Sequence, residues 1–294
     1  MIDYITSLGV EDHFKVNDKF DLEAGLSYQY VGNIRADDHN ASNDSIFSFP
    51  GNSKGGLSAR LLVEYSVNPN QVFQAGIARK VRFATMKNRY SYRYGRSIPN
   101  PFLEPESTIN IDINYEGNFN NKIFLNASLY YSYLTDVIQQ VFNVDRDNSS
   151  IYQFQNAEKA TFYGFDFNSQ YSLYKYLSLG VQYNFTKRKN LTNPDLLFVD
   201  VPDHKVNLFL SYDKPGKYYF FLNSVYNSQR VSTSTGDYVA DAFFILNAKV
   251  AITVFKYFSI EAGILNIVDT NYSYSDGYPA EGRSFIFTIR YQLQ

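Results

Sequence analysis

The densest chemistry in the sequence lies between Arg79 and Arg96, RKVRFATMKNRYSYRYGR. Arg79, Lys80, Arg82, Lys87, Arg89, Arg93 and Arg96 are interleaved there with aromatic residues, and no carboxylate intervenes. Guanidinium groups pair with carboxylate or phosphate, and rings offer stacking faces, so such a run suits an anionic ligand. Arg89, Tyr92, Arg93 and Arg96 are the candidate ligand contacts. The same charges also fit a set of lumen and rim charges, or a patch that holds lipopolysaccharide phosphates.

Other chemistry finds less support. No Ser/His/Asp grouping or paired carboxylate site stands out, so there is no catalytic residue to name and the chain does not read as an enzyme. With no Cys there is no thiolate site or disulfide, and His13, His39 and His204 are too scattered for a metal or cofactor site. The acidic stretches DDHNASND (37–44) and NVDRDNS (143–149) lack the ligand spacing of a calcium loop and read as solvated loops. GNSKGG at 51–56 lacks the Gly-Lys-Ser/Thr ending of a phosphate loop and reads as a flexible outer loop. Lys+Arg total 27 against 29 Asp+Glu, which excludes a general pull toward nucleic acid.

The elements that must position these residues are strands. Ile109, Ile111, Ile113 and Tyr115 alternate with Asn110, Asp112, Asn114 and Glu116, and the same period of two recurs along the chain. It predicts about thirteen strands, at 4–14, 20–32, 56–67, 71–83, 106–117, 122–136, 159–172, 176–188, 203–213, 217–228, 239–253, 257–270 and 283–294. Such lengths exceed the roughly five or six residues of soluble strands and suit a tilted strand crossing a bilayer. Connections alternate short and long throughout, as expected of an outer-membrane barrel with tight periplasmic turns and long outward loops. The 52 aromatic residues, 27 Tyr and 25 Phe, sit beside a mean hydropathy of -0.32. A wall with lipid on one side and water on the other reconciles the two. Tyr28, Tyr30, Tyr65, Tyr115, Tyr183, Tyr212 and Tyr226 lie near strand ends, where interfacial girdles place them. Glu64, Asp112, Glu116 and Asp166 are expected to line the lumen. The N-terminus MIDYITSLGV does not read as a secretory signal peptide, and no apolar run is long enough for a membrane helix.

Four stretches resemble the C-terminal barrel of TonB-dependent outer-membrane receptors. PNPFLEPE at 99–106 resembles the family's Asn-Pro-x-Leu-x-Pro-Glu motif ahead of a barrel strand. NAEKATFYGFDF at 156–167 is similar to a strand opening in which Asp166 stands where Glu is usual. VPDHKVN at 201–207 resembles Pro-x-His-Lys-x-Asn, and gives His204 a structural part. LNIVDTNYSYSDGYPAEGRSFIFTIRYQL at 265–293 resembles the family's ending, with Asn266, Asp269, Tyr272, Pro279, Gly282 and Arg283 in register and Ile267 in place of Leu.

The resemblance implies an all-β antiparallel transmembrane β-barrel, with residues 1–294 forming a single partial barrel domain from the C-terminal part of a barrel of about 22 strands. The plug domain, the box that TonB grips and roughly nine strands are expected to lie outside these residues. The chain then reads as a fragment of a longer receptor, from a truncated frame or a broken gene. Its implied setting is the bacterial outer membrane, and its implied work is TonB-dependent uptake of a scarce small molecule such as a ferric siderophore or cobalamin. The implied partners are outer-membrane lipid, the barrel assembly machinery, TonB and the substrate. Two other readings are a self-contained porin-like barrel for passive diffusion and a soluble β-rich carbohydrate-binding module.

Overall fold

The computed structural model describes residues 1–40, 44–93, 95–142, 151–255 and 257–291. Thirteen strands follow one another in the sheet: β1 (Ile2–Lys15), β2 (Phe20–Arg35), β3 (Lys54–Asn68), β4 (Gln71–Arg82), β5 (Glu106–Phe119), β6 (Ile123–Phe142) and β7 (Tyr152–Tyr174) come first. They continue with β8 (Leu177–Asn190), β9 (His204–Lys214), β10 (Tyr218–Asn227), β11 (Phe243–Phe255), β12 (Phe258–Leu265) and β13 (Ser284–Tyr291). Each pairs with the next in chain order, and the short strand Ser97–Ile98 adds a fourteenth by pairing parallel to β7. The closing segment predicted to run to 294 is described as far as Tyr291, and residues 292–294 lie outside the described residues.

Asparagine chemistry sets several of the tight turns. The Asn17 side-chain oxygen accepts from the amides of Lys19 (2.9 Å) and Phe20 (3.1 Å), an Asx turn between β1 and β2. Asn120 and Asn121 both take positive φ, 53° and 52°, while the Lys122 amide bonds the Phe119 carbonyl at 2.9 Å. That is the left-handed pair a two-residue hairpin needs to match strand twist. All short turns fall at one end of the sheet and all long connections at the other.

Register turns the alternation into two unlike faces. Leu61, Ile77, Ile111, Tyr131 and Tyr163 stand opposite one another across β3 to β7. All five remain between 40% and 48% exposed, so nothing among the described residues covers this face. A continuous uncovered apolar row of this kind marks an interaction surface for membrane or protein. The opposite face carries Asn, Gln, Ser, Asp and Glu. Buried apolar groups gather under the long connections, where Ala84, Leu103 and Ile138 meet Phe154. There is no mid-strand apolar core among the described residues, as the soluble-module reading would have required.

Some boundaries differ from the sequence prediction. β6 and β7 continue pairing outward to Phe142 and Tyr152, past a bulge where Asp136 takes φ 57°. β12 ends at Leu265 because Asn266 adopts φ 51° and its side chain closes a turn, bonding the Thr270 amide at 2.9 Å and carbonyl at 2.8 Å. β11 begins at Phe243, opposite the last residue of β10, and Val239–Ala240 pairs instead with Arg230–Val231. Lys54, Gly55 and Gly56, expected in a flexible loop, open β3 and pair with Val31, Tyr30 and Gln29. No helix among the described residues is long and apolar enough to cross a membrane. The only helix there, α1 (Met86–Tyr90), has five residues.

β1 and β13 are the outer strands of this sheet, and no pairing joins them among the described residues. Both run from the long-connection end toward the short-turn end, so they cannot meet as an antiparallel pair.

Candidate functional site

The polar face is built from side-chain amides placed in rows by the register. Glu64 accepts from Gln74 (2.9 Å), Gln74 from Asn114 (3.3 Å), and Asn114 from Asn126 (3.1 Å) and Ser128 (2.7 Å). Farther round, Asn207 donates to Gln182 (2.9 Å) and accepts from Asn223, Asn223 accepts from Asn247 (3.2 Å), and Asn247 accepts from the Asn266 amide (2.9 Å). A carboxamide offers two donors and an acceptor, so each spends part of its capacity on a neighbour and presents the rest to the space in front. Two glycines let aromatic rings lie flat on this face. A Cβ at Gly164 would sit 2.3 Å from the Tyr130 oxygen, and one at Gly180 would sit 2.0 Å from the Phe209 ring. Tyr130 crosses Gly164 to share a hydrogen bond with Thr186 at 2.5 Å.

Toward the long-connection end these rows border a cavity of about 460 Å³, lined by Asp166, Gln182, Asn184, Lys205, Asn207 and Asn227 among others, with Tyr274 above. Asn184 donates to Asp166, while Asn227 is buried with no partner for its Nδ2 among the described residues. Beside it, Arg230 is 4% exposed, with its guanidinium 5.1 Å from the Phe243 ring centroid and 5.6 Å from that of Tyr274. Nη2 donates to the Ser273 carbonyl at 3.2 Å, and Nε has no partner among the described residues. Burial lowers the Arg230 pKa, opposed by Tyr274 and Asp200. Nothing local in the sequence marks this cation, because its aromatic neighbours come from another strand and another loop.

The basic run divides by environment. Thr85 caps α1, accepting from the Asn88 amide at 3.2 Å while the Asn88 side chain accepts from the Thr85 amide at 3.1 Å. The helix delivers Arg89 to Asp3 of β1 as an ion pair with side chains 4% and 12% exposed. Tyr90, buried by the same fold, and Tyr92 meet Phe49 with ring centroids 5.3 Å and 6.1 Å apart. Arg93 takes φ 40° and donates to the Tyr152 hydroxyl at 3.3 Å. Tyr92, Arg93 and Arg96 are exposed at the tip, so the structure groups these three and sets Arg89 apart as an anchor.

The stretches 99–106 and 156–167 interlock. The Glu104 amide donates to the Asn156 side chain (2.8 Å), which in turn donates to the carbonyls of Glu104 (2.8 Å) and Asp136 (2.9 Å). Glu106 pairs with Arg82 and accepts from the Ile138 amide at 2.6 Å. His204 shares a 2.9 Å hydrogen bond with the Tyr183 hydroxyl and stacks on its ring, a structural contact. Asp269 accepts from the Arg283 amide at 2.9 Å, joining the two ends of the last long connection. His13 lies opposite Glu23 on the polar face, and His39 contacts Asp44 at 2.8 Å. In the acidic stretch at 37–44, Asp37 engages Arg35 and Ser48. The stretch 143–149 lies outside the described residues, and among those described no group of His, Cys, Asp and Glu could hold a metal ion.

Comparison with known proteins agrees with this geometry. A family model described as "TonB dependent receptor-like, beta-barrel" matches residues 4–267. Among solved structures, the copper transporter OprC superposes with a TM-score of 0.81 at 17% identity, over 98% of this chain and 48% of that one. The siderophore receptor PiuA from Acinetobacter baumannii gives 0.78 at 14%, over 98% and 43%. The FrpB iron transporter from Neisseria meningitidis gives 0.77 at 15%, over 98% and 45%. At these identities the likeness is one of fold, and the chain spans about half the length of the structures it matches. No curated protein sequence matches the chain.

Proposed function

The chain belongs to the TonB-dependent receptor β-barrel family, and on that premise we propose that it forms barrel wall and mouth of an outer-membrane receptor. Its apolar face meets lipid, its amide face meets a water-filled lumen, and its long connections face outward. The substrate class is a scarce small molecule such as a ferric siderophore or cobalamin. It is captured at the mouth by Tyr92, Arg93 and Arg96, and passes to the amide-lined cavity beneath Tyr274. TonB supplies the energy for passage, and the barrel assembly machinery inserts the wall.

The observation that carries this reading is the two-faced ladder. It has one uncovered apolar face, one amide face, and all long connections at one end. In hydrocarbon an unpaired strand edge costs several kcal/mol per exposed peptide group, so β1 and β13 require further partners. Because the two run the same way, an odd number of additional strands completes an all-antiparallel wall. That argues for a larger barrel over a porin closed from these strands alone.

The test is uptake of labelled ferric siderophores and cobalamin by a receptor-deleted strain carrying the full-length gene. We expect uptake of one substrate that depends on TonB and falls about tenfold for each guanidinium removed in Arg93→Ala or Arg96→Ala. Uptake that persists without TonB would favour passive diffusion, and uptake indifferent to both variants would remove the ligand assignment.

A further inference from the structure

The apolar face changes character near the long-connection end of β7 and β8. Phe165 stands opposite Phe185, which stands opposite His204, and all lie on the same face as Leu129 and Ile113. The next row on that face puts Lys187 opposite Tyr163, and the one after it puts Lys189 opposite Thr161. One step farther, the Leu191 amide bonds the Lys159 carbonyl at 2.8 Å, which keeps Lys159 in the same alternation. All three lysines are exposed. The one carboxylate that reaches any of them among the described residues is Asp203, 2.5 Å from the Lys187 Nζ.

A lysine row of this kind has no reason to lie on a membrane-facing surface unless it sits at the headgroups. Two residues advance a strand by roughly 7 Å, or about 5 Å along the normal at barrel tilt, which carries Lys187 just past the aromatic band. Lys189 and Lys159 follow at similar steps, and residues diagonal across two strands have side chains about 7–8 Å apart. Three flexible ammonium groups at that spacing converge on one or two phosphates, where a carboxylate-bearing or neutral headgroup gives fewer contacts.

We propose that Lys159, Lys187 and Lys189 form a docking surface for the phosphates of an outer-leaflet glycolipid, on the outside of the barrel and separate from the ligand mouth. The assignment rests on the membrane orientation given under Proposed function. It differs from the Arg79–Arg96 run, whose Arg89 is already paired with Asp3.

The experiment uses the protein extracted from membranes of expressing cells in zwitterionic detergent, titrated with diphosphorylated or dephosphorylated lipid A and read by native mass spectrometry. Each fully available lysine near an anionic headgroup is worth about a fivefold change in affinity. Because Asp203 occupies part of Lys187, the triple variant Lys159→Gln/Lys187→Gln/Lys189→Gln should bind the diphosphorylated lipid about 30-fold more weakly. Asp203→Asn should bind it about threefold more tightly, a gain that misfolding cannot produce. The dephosphorylated lipid should bind all forms alike. Equal binding of the two lipids, an unchanged triple variant, or full displacement by free inorganic phosphate would overturn the proposal. Recovery of the protein in alkaline-washed membranes separates the two readings. Its absence there removes both the barrel and the lipid site, while its presence with no phosphate preference removes the lipid site alone.

Discussion

Replacing Arg89 should release the loop 83–105 from β1. Its guanidinium and Asp3 meet almost out of water, with side chains 4% and 12% exposed. At contact distance and an effective dielectric of about 20, their attraction is roughly 5 kcal/mol. Desolvation of the two ions takes back part, leaving a coupling of about 2–4 kcal/mol. The pair closes a segment in which the Arg89, Ser91 and Asn100 amides bond the carbonyls of Thr85, Lys87 and Arg89. Hydrogen exchange at those three amides in the membrane-embedded protein reads the loop's opening. Arg89→Met, which keeps most of the side-chain stem, should speed exchange by roughly 30- to 1,000-fold, and Asp3→Asn should do the same. The double variant should exchange little faster than either single one, because the shared interaction is lost once. Exchange within threefold of wild type in Arg89→Met, or effects that simply add, would refute the anchor.

Three further outcomes follow from the same geometry. Ile113→Lys, on the uncovered apolar face near mid-strand, should cost about 2–4 kcal/mol of membrane-folded stability. Asn126→Lys on the amide face should cost much less, with heat-modifiable gel mobility as the measure. Gly180→Ala should force the Phe209 ring off its neighbour, because the new Cβ would sit 2.0 Å from it. A loss of about 1–3 kcal/mol, read by thermal unfolding, is expected. The Asp37 carboxyl is held below its ordinary pKa, first by the Arg35 hydrogen bond and then by that of Ser48. A depressed folded-state pKa gives stabilisation that is complete above the unfolded value of about 3.9 and is lost as pH falls through the folded value. Protection of the Phe49 amide, bonded to the Ala36 carbonyl beside the hairpin in which Asp37–Asn40 pairs with Ser45–Ser48, should therefore fall in acid, and Asp37→Asn should flatten that dependence.

The strands were legible because period two is a local property. Ile109 to Glu116 announce two faces within eight residues, and the register later only had to line them up. The resemblance also located stretches that turn out to hold one another, Glu104 with Asn156. What stayed hidden depends on contacts between distant segments. Arg89 looked available for a ligand because its partner Asp3 lies 86 residues earlier in the chain. Arg230 drew no attention because Phe243 and Tyr274 reach it only after folding. The end of β12 is not visible in the sequence because apolar residues continue past Leu265, while the backbone of Asn266 turns left-handed to satisfy the Thr270 turn. Amides on polar faces were visible one strand at a time. Their joining into a ladder required the register.

The central claim, that one face of this sheet meets lipid and the other water, can be measured directly because the chain contains no cysteine. Single cysteines placed in turn at positions 109 to 116 of β5, in intact outer membranes, are exposed to a membrane-impermeant, water-soluble maleimide small enough to enter a barrel lumen. Labelling is expected at 110, 112, 114 and 116 and protection at 109, 111, 113 and 115, a strict period of two. Uniform labelling along the strand, or equal labelling of the chain in a membrane-free soluble fraction, would contradict it.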